Sequence, residues 1–143
     1  MADREAVFDL HVTALKAVVS DVLSGEWDTD LFNIEETYLK EGDFLVVTHE
    51  KRVIGMGALR RVDKACGEIK RMRVLPSYWG QGIGQTLLDR LTHRARELGF
   101  DKLVLDTTIQ LVSARRLYEK NGFKETRRGI LGGFETIYYE KLF

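Results

Sequence analysis

The chain has 143 residues, 44% of them hydrophobic, and this size and composition predict one domain, residues 1–143, with an apolar core. Its 22 basic residues balance its 22 acidic ones, which argues against a surface dedicated to nucleic acid or to an anionic membrane. A single cysteine, Cys66, excludes an intramolecular disulfide, and the charged N-terminal residues do not fit a signal peptide, so we expect a cytoplasmic protein.

The first part of the chain has helical periodicity. Apolar residues recur at helical spacing through residues 4–23, and Ser24-Gly25 provides a stop signal. Asn33 can cap a second, short helix that continues to Leu39. We expect these two helices to form a hairpin that packs over a sheet.

Strand patterns follow the two helices. Apolar runs at residues 44–48 and 53–59 flank the polar segment Glu50-Lys51-Arg52, which predicts an antiparallel hairpin. A strand from Glu68 is expected to pair next. Its inward residues Ile69 and Met72 are three apart, whereas a regular strand places them two apart, so we predict a bulge near Arg71.

A glycine-rich loop follows this strand and opens a helix. The segment Trp79-Gly80-Gln81-Gly82-Ile83-Gly84 exposes bare backbone, and from Ile83 apolar residues recur at helical spacing until Gly99 provides a stop. Free N–H groups and the helix dipole at such an N-terminus favour an anion by about 0.3–1 kcal/mol. The loop is therefore predicted to bind phosphate.

Two common phosphate-binding motifs do not fit this loop. A dinucleotide fingerprint that begins at Gly80 needs glycine at position 85, where Gln85 stands. A Walker loop that ends at Thr86 needs glycine at 79 and lysine at 85, but the sequence has Trp79 and Gln85. The GxGxG spacing therefore matches neither of these motifs.

The rest of the chain alternates strands and a helix. Residues 102–106 predict a buried strand, and a helix is expected from about Leu111 to Asn121. Two strands follow at residues 123–127 and 134–140, and the glycines of residues 129–133 predict a loose turn between them.

Two motifs resemble those of the GNAT superfamily of N-acetyltransferases. The loop is similar to Q/R-x-x-G-x-G/A, with Trp79 where Gln or Arg is usual. The segment Ala114-Arg-Arg-Leu-Tyr-Glu-Lys-Asn-Gly-Phe123 is similar to A-x-x-L-Y-x-x-x-G-F, with Leu111 where many members have Asn. The resemblance implies an α+β fold whose mixed, mostly antiparallel twisted sheet is flanked by helices. Members begin with an additional strand, which is absent from this sequence pattern or supplied by another chain.

The resemblance also implies acetyl-CoA as cofactor and direct acetyl transfer to a primary amine of a small molecule or peptide. It makes Glu68 the base, acting directly or through water, and Tyr118 the general acid at the sulfur. A backbone N–H of residues 72–74 would meet the developing oxyanion. The cofactor-binding residues implied are Met72, Arg73, Val74, Trp79, Gly80, Gln81, Gly82, Ile83, Gly84 and Gln85.

Several alternatives remain open at this stage. Glu68 could be a strand-end charge paired with Lys70, and Tyr118 could be a core residue, which would leave a non-catalytic acyl-CoA-binding module. A nucleic-acid-binding domain that uses arginine pairs is a second alternative. No metal is expected, because the histidines do not have a metal-ligand spacing. Edge strands of such sheets can pair between chains, which leaves a homodimer open.

Overall fold

A computed structural model of the protein describes residue 6 and residues 38–143. Ala6 is helical, and the rest of the helix predicted over residues 4–23 lies outside the described residues. The same holds for the short helix predicted from Asn33, except that Tyr38 and Leu39 belong to a π-helical turn.

Six strands and two longer helices make up the described chain. The strands are β1 (Asp43–His49), β2 (Arg52–Arg61), β3 (Cys66–Val74), β4 (Lys102–Thr108), β5 (Lys124–Leu131) and β6 (Phe134–Leu142). The helices are α1 (Ile83–Glu97) and α2 (Val112–Lys120), and a short 3-10 helix (Pro76–Tyr78) lies between β3 and α1.

All six strands form one sheet in the order β1-β2-β3-β4-β6-β5. Every neighbouring pair is antiparallel except β3 and β4, which run parallel. This parallel ladder has only three residue pairs, and the last of them joins Glu68 to Val104. Beyond that pair the two strands separate, although each continues for several residues. The predicted mixed, mostly antiparallel sheet with flanking helices is confirmed.

The predicted bulge is present in β3. Arg71 has φ 58°, and the register between β2 and β3 shifts between Met56 and Ala58. After this extra residue Met72 points back into the core, towards Gly57 of the neighbouring strand. A Cβ atom at Gly57 would lie 2.6 Å from the Met72 sulfur, so a side chain at position 57 would force Met72 to move.

Two apolar clusters fill opposite faces of the sheet. Ala58 and Leu59 are consecutive in β2 and belong to different clusters, and consecutive strand residues point to opposite faces. The larger cluster packs both helices against the sheet through Leu88 and Leu91 of α1 and Tyr118 of α2. These buried positions match the helical spacing in the sequence. None of the helices in the described part of the chain has the length and hydrophobicity needed to span a membrane.

The C-terminal hairpin differs from the prediction. Strand β5 extends to Leu131 instead of ending at residue 127, because Gly129, Ile130 and Leu131 pair with β6. The predicted loose turn over residues 129–133 is wrong. Gly132 and Gly133 alone make the turn, with φ 59° and 82°, and two consecutive positive φ angles are what a two-residue hairpin turn requires.

Candidate active site

A cavity of about 540 Å³ lies beside the part of β3 that follows its last pair with β4. The walls are the end of β3, the glycine loop with the first turn of α1, and one face of α2. Nine of the ten residues predicted to bind the cofactor line it, and Gln81 does not. These nine are Met72, Arg73, Val74, Trp79, Gly80, Gly82, Ile83, Gly84 and Gln85.

The glycine loop presents bare backbone to this cavity. Gly80 and Gly82 have φ 78° and 79°, and a Cβ atom added at either position would meet no atom within 4 Å. Gly82 is the N-cap of α1, and its carbonyl accepts a hydrogen bond from the Thr86 N–H at 3.0 Å. The first turn of α1 has no acidic side chain. This helix end therefore has both the space and the polarity to accept a phosphate group.

Trp79, which departs from the family pattern, is attached to the end of β3. Its indole Nε1 donates a hydrogen bond of 2.7 Å to the carbonyl of Val74. The side chain nevertheless remains 49% exposed and lines the cavity. The indole therefore ties the start of the glycine loop to the strand that precedes it.

Helix α2 supplies the opposite wall, most of which the sequence analysis did not include in the site. The motif residues Ala114 and Leu117 line the cavity on the same face as Tyr118, as spacings of three and four residues require in a helix. Leu111 is the N-cap of α2, and its apolar side chain makes no capping hydrogen bond. The further lining residues are Tyr78, Gln110, Val112, Ser113 and Lys120. Helical periodicity counted from Leu117 could have identified Ser113 and Lys120.

Tyr118 lies where the cavity meets the gap between β3 and β4. The residue is only 5% exposed, and its ring packs against Phe123 and Tyr139 with centroid distances of 5.9 and 6.3 Å. Burial raises the pKa of its hydroxyl to about 12; the charge of Asp106 adds to this effect and that of Arg73 opposes it. The hydroxyl therefore keeps its proton at neutral pH.

Glu68 does not line the cavity. It lies at the last pair between β3 and β4, and its side chain is 14% exposed. Arg60 donates to its Oε1 through Nη2 at 2.6 Å and through Nε at 3.0 Å. The partner is thus Arg60 of the adjacent strand, and the pairing with Lys70 considered from the sequence is wrong. Oε2 accepts no hydrogen bond from the part of the chain that the structure describes.

Asp106 is an acidic residue at the gap that sequence reasoning missed. It follows Val104 by two residues in β4 and so points to the same face as Glu68. Its side chain is exposed on one side, yet loss of water to the neighbouring strands raises the pKa of its carboxyl, and the charge of Glu68 raises it further. The cations Lys70, Arg71 and Arg73 act in the opposite direction. Its only sequence signal is a carboxylate near the end of a buried strand.

The sequence has clear relatives among acetyltransferases. It matches the model of the Acetyltransferase (GNAT) family over residues 6–123. It is 37% identical to IAA acetyltransferase of Azospirillum brasilense over 92 residues, and the matched segment covers 64% of this chain and 59% of that protein. It is also 36% identical to human N-acetyltransferase 8 over 106 residues, and this match covers 68% of this chain and 46% of the relative. The chain thus spans between 45% and 59% of the length of the first curated relatives that it matches.

Solved acetyltransferase structures share the fold. A GNAT-family acetyltransferase from Staphylococcus aureus Mu50 gives a TM-score of 0.89 at 25% identity, with 99% of this chain and 93% of the other covered. YncA from Salmonella typhimurium, solved with acetyl-CoA, gives a TM-score of 0.76 at 22% identity, with 99% of this chain and 88% of YncA covered. Because the family model matches residues 6–123 of the 143, this chain belongs to the GNAT family of acetyltransferases.

Proposed function

We propose that the protein is an acetyl-CoA-dependent N-acetyltransferase that transfers an acetyl group directly to a primary amine of a small molecule or peptide. One observation carries this proposal. A single cavity of about 540 Å³ extends from the glycine N-terminus of α1 to the buried Tyr118 beside the gap in the sheet. The cavity thus links a binding site for phosphate to an opening where an acyl group can be exposed to an acceptor.

The residues at the N-terminus of α1 fit the diphosphate of acetyl-CoA. The open space next to Gly80 and Gly82 is where side chains at these positions would exclude a ligand. Binding through backbone N–H groups also explains why Trp79 is compatible with the role, since its own side chain bonds to Val74. When bound, acetyl-CoA would supply the acetyl group as a thioester, whose C–S bond is replaced by a bond to the amine nitrogen, with CoA leaving as the thiol.

The edge of β3 that faces β4 supports the proposed oxyanion contact. Pairing between these strands stops at Glu68 and Val104, so the later peptide groups on this edge have no partner in β4. Residues 72–74 line the cavity there, and an N–H group among them can donate to the carbonyl oxygen of the acetyl group. One such donor commonly contributes about 100- to 1000-fold in rate.

Tyr118 and two acidic residues can carry out the two proton transfers that the reaction needs. We assign Tyr118 as the donor to the leaving sulfur, because its side chain lines the cavity and its hydroxyl is protonated at neutral pH. Glu68 or Asp106 would take the proton from the acceptor ammonium. Asp106 is favoured as the direct base by its raised carboxyl pKa, whereas Oε1 of Glu68 is occupied by Arg60. Glu68 would then act through Oε2 and a water molecule.

A turnover assay over a panel of amines tests this function. Release of thiol that requires both enzyme and amine is the expected result, together with an acetylated amine detected by mass spectrometry. Tight CoA binding without amine-dependent release would instead identify a non-catalytic acyl-CoA-binding module.

The arginine pair near the C-terminus gives little support to a nucleic-acid-binding function, because both side chains already have partners within the chain. Arg127 stacks on the Tyr138 ring at 3.7 Å, and Arg128 forms an ion pair with Glu125. A nucleic-acid affinity that falls steeply with salt would revive this alternative. The cytoplasmic location and the homodimer stay predictions.

A further inference from the structure

This inference rests on the proposed function and concerns the nucleotide end of the acyl donor. The pantetheine arm of CoA would run through the cavity, from the diphosphate site at Gly80 and Gly82 to Tyr118. The adenosine is attached to the other side of the diphosphate, so it has to leave the cavity at the end formed by the glycine loop. Trp79 precedes Gly80 directly and lines the cavity at this end.

The indole of Trp79 is held in place and yet largely open to solvent. Its Nε1 donates to the carbonyl of Val74 at 2.7 Å, which restricts rotation of the ring, and the residue is still 49% exposed. A large aromatic surface of this kind loses contact with water when a ligand covers it, which favours binding. The fixed orientation also lowers the entropy that the ring loses on binding.

Two other aromatic rings that are not fully buried are covered by a cation. The Arg96 guanidinium lies 4.8 Å from the centroid of the Phe143 ring, and that of Arg127 lies 3.7 Å from the centroid of the Tyr138 ring. Within residues 38–143, neither a cation nor a second ring lies against the indole of Trp79. The open part of this ring is therefore available to a planar group of a ligand.

An adenine base suits this surface better than a phosphate group does. Aromatic side chains bind nucleic-acid bases by stacking on their flat faces. The α2 side of the loop is different in character, because Lys120 lines the cavity there, next to the Asn121 that bonds to Gln85. A lysine charge attracts the phosphate groups of CoA, whereas the indole attracts the base.

We propose that the exposed indole of Trp79 stacks on the adenine of CoA. Trp79 then acts as a specificity residue for the acyl donor, because it contacts a part of CoA that takes no part in the transfer. Donors that hold the acyl group on phosphopantetheine alone, as acyl carrier proteins do, lack the adenine and gain nothing from this contact. The protein therefore selects acyl donors that have the nucleotide.

The test compares two variants of Trp79 with ligands that have or lack the base. Trp79→Phe and Trp79→Leu both lose the hydrogen bond to Val74, so a difference between them reports the aromatic ring alone. Calorimetry gives the Kd of the wild type and both variants for CoA, for its adenosine bisphosphate half and for phosphopantetheine. Thermal unfolding shows that each variant is folded, and tryptophan fluorescence is recorded as each ligand is added.

Trp79→Leu should raise the Kd for CoA by roughly 5- to 150-fold, with Trp79→Phe closer to the wild type. The two variants should differ in the same direction for adenosine bisphosphate and not for phosphopantetheine. CoA should quench the fluorescence of the wild type more than that of Trp79→Phe. The inference is overturned if the two variants bind CoA equally well, or if adenosine bisphosphate does not distinguish them. If the wild type binds none of the three ligands, the proposed function fails as well.

Discussion

The side-chain amides of Gln85 and Asn121 bond to each other reciprocally. Gln85 Nε2 donates to Asn121 Oδ1 at 2.8 Å, and Asn121 Nδ2 donates to Gln85 Oε1 at 2.9 Å. Gln85 lies in the first turn of α1, and Asn121 is the C-cap of α2, where its Nδ2 also donates to the Leu117 carbonyl. This amide pair therefore fixes the distance between two walls of the cavity.

Asn121→Ala should weaken cofactor binding although the residue does not line the cavity. The change removes a part-buried pair of hydrogen bonds, each contributing about 1 kcal/mol to the free energy of unfolding, and lets α2 shift relative to the glycine loop. We expect a lower midpoint of thermal unfolding and a several-fold higher Kd for CoA by calorimetry. Gln85→Ala should also lower the midpoint, and the effects of the two changes should be less than additive in the double variant, because both remove the same amide pair. Additive effects of the two changes would contradict this coupling.

Gly82→Ala should weaken CoA binding while the protein still folds. The added methyl group meets no protein atom within 4 Å, but it enters the space assigned to the diphosphate. Gly99→Ala is a matched control, since Gly99 also has a positive φ, 81°, and equally open surroundings at the end of α1. Both variants should lose about 1–2 kcal/mol of stability from the left-handed backbone. A phosphate role for Gly82 is refuted if the two variants bind CoA equally well.

Tyr118→Phe should lower kcat by about 100-fold or more, as expected for loss of a general acid, and change the Kd for CoA little. Pre-steady-state measurement of thiol release distinguishes chemistry from product release. A wild-type rate in this variant would remove the proposed acid role.

The raised pKa of Tyr118 also predicts a change in stability at high pH. The Tyr118 hydroxyl ionises near pH 10 in the unfolded chain and near pH 12 in the folded protein. The contribution of the protonated hydroxyl to the free energy of unfolding is therefore complete below pH 10 and is lost as the pH rises towards 12. Denaturant unfolding from pH 9 to 11.5 should show a steeper loss of stability in the wild type than in Tyr118→Phe. If the free energy of unfolding falls with pH equally in the two proteins, burial does not raise the pKa of Tyr118.

Asp106→Asn and Glu68→Gln should separate the two candidate bases. A base must be deprotonated, so kcat/KM should fall at low pH as the direct base gains its proton, and the raised pKa of Asp106 moves this fall above the usual carboxyl range. If Asp106 is the direct base, Asp106→Asn removes this acidic limb, whereas Glu68→Gln keeps it but moves it to lower pH, because the charge of Glu68 no longer raises the pKa of Asp106. The reverse result would assign the base to Glu68.

Local pattern was sufficient to predict the elements that line the cavity, but not the opening between them. The spacing of Ile69 and Met72 predicted the bulge, and the glycines before Ile83 predicted the start of α1. The separation of β3 from β4 depends on how two strands distant in the sequence pair, so no segment by itself encodes it. Asp106 was missed for this reason, because a lone carboxylate in a strand becomes notable only once the gap is known.

The extent of β5 was also beyond sequence reasoning. Its residues are almost all exposed and show no alternation of apolar and polar side chains, so pairing with β6 determines its length. The ion pair of Glu68 with Arg60 likewise requires the register of two strands, whereas the sequence alone made Lys70 the nearest cation.

The three-pair ladder between β3 and β4 has a kinetic consequence. Because pairing between these strands stops at Glu68 and Val104, the direct transfer proposed above requires donor and acceptor to be bound together, and neither has to leave before the other arrives. Plots of reciprocal velocity against reciprocal substrate concentration should then intersect and not run parallel, since both molecules occupy the protein together at the moment of exchange.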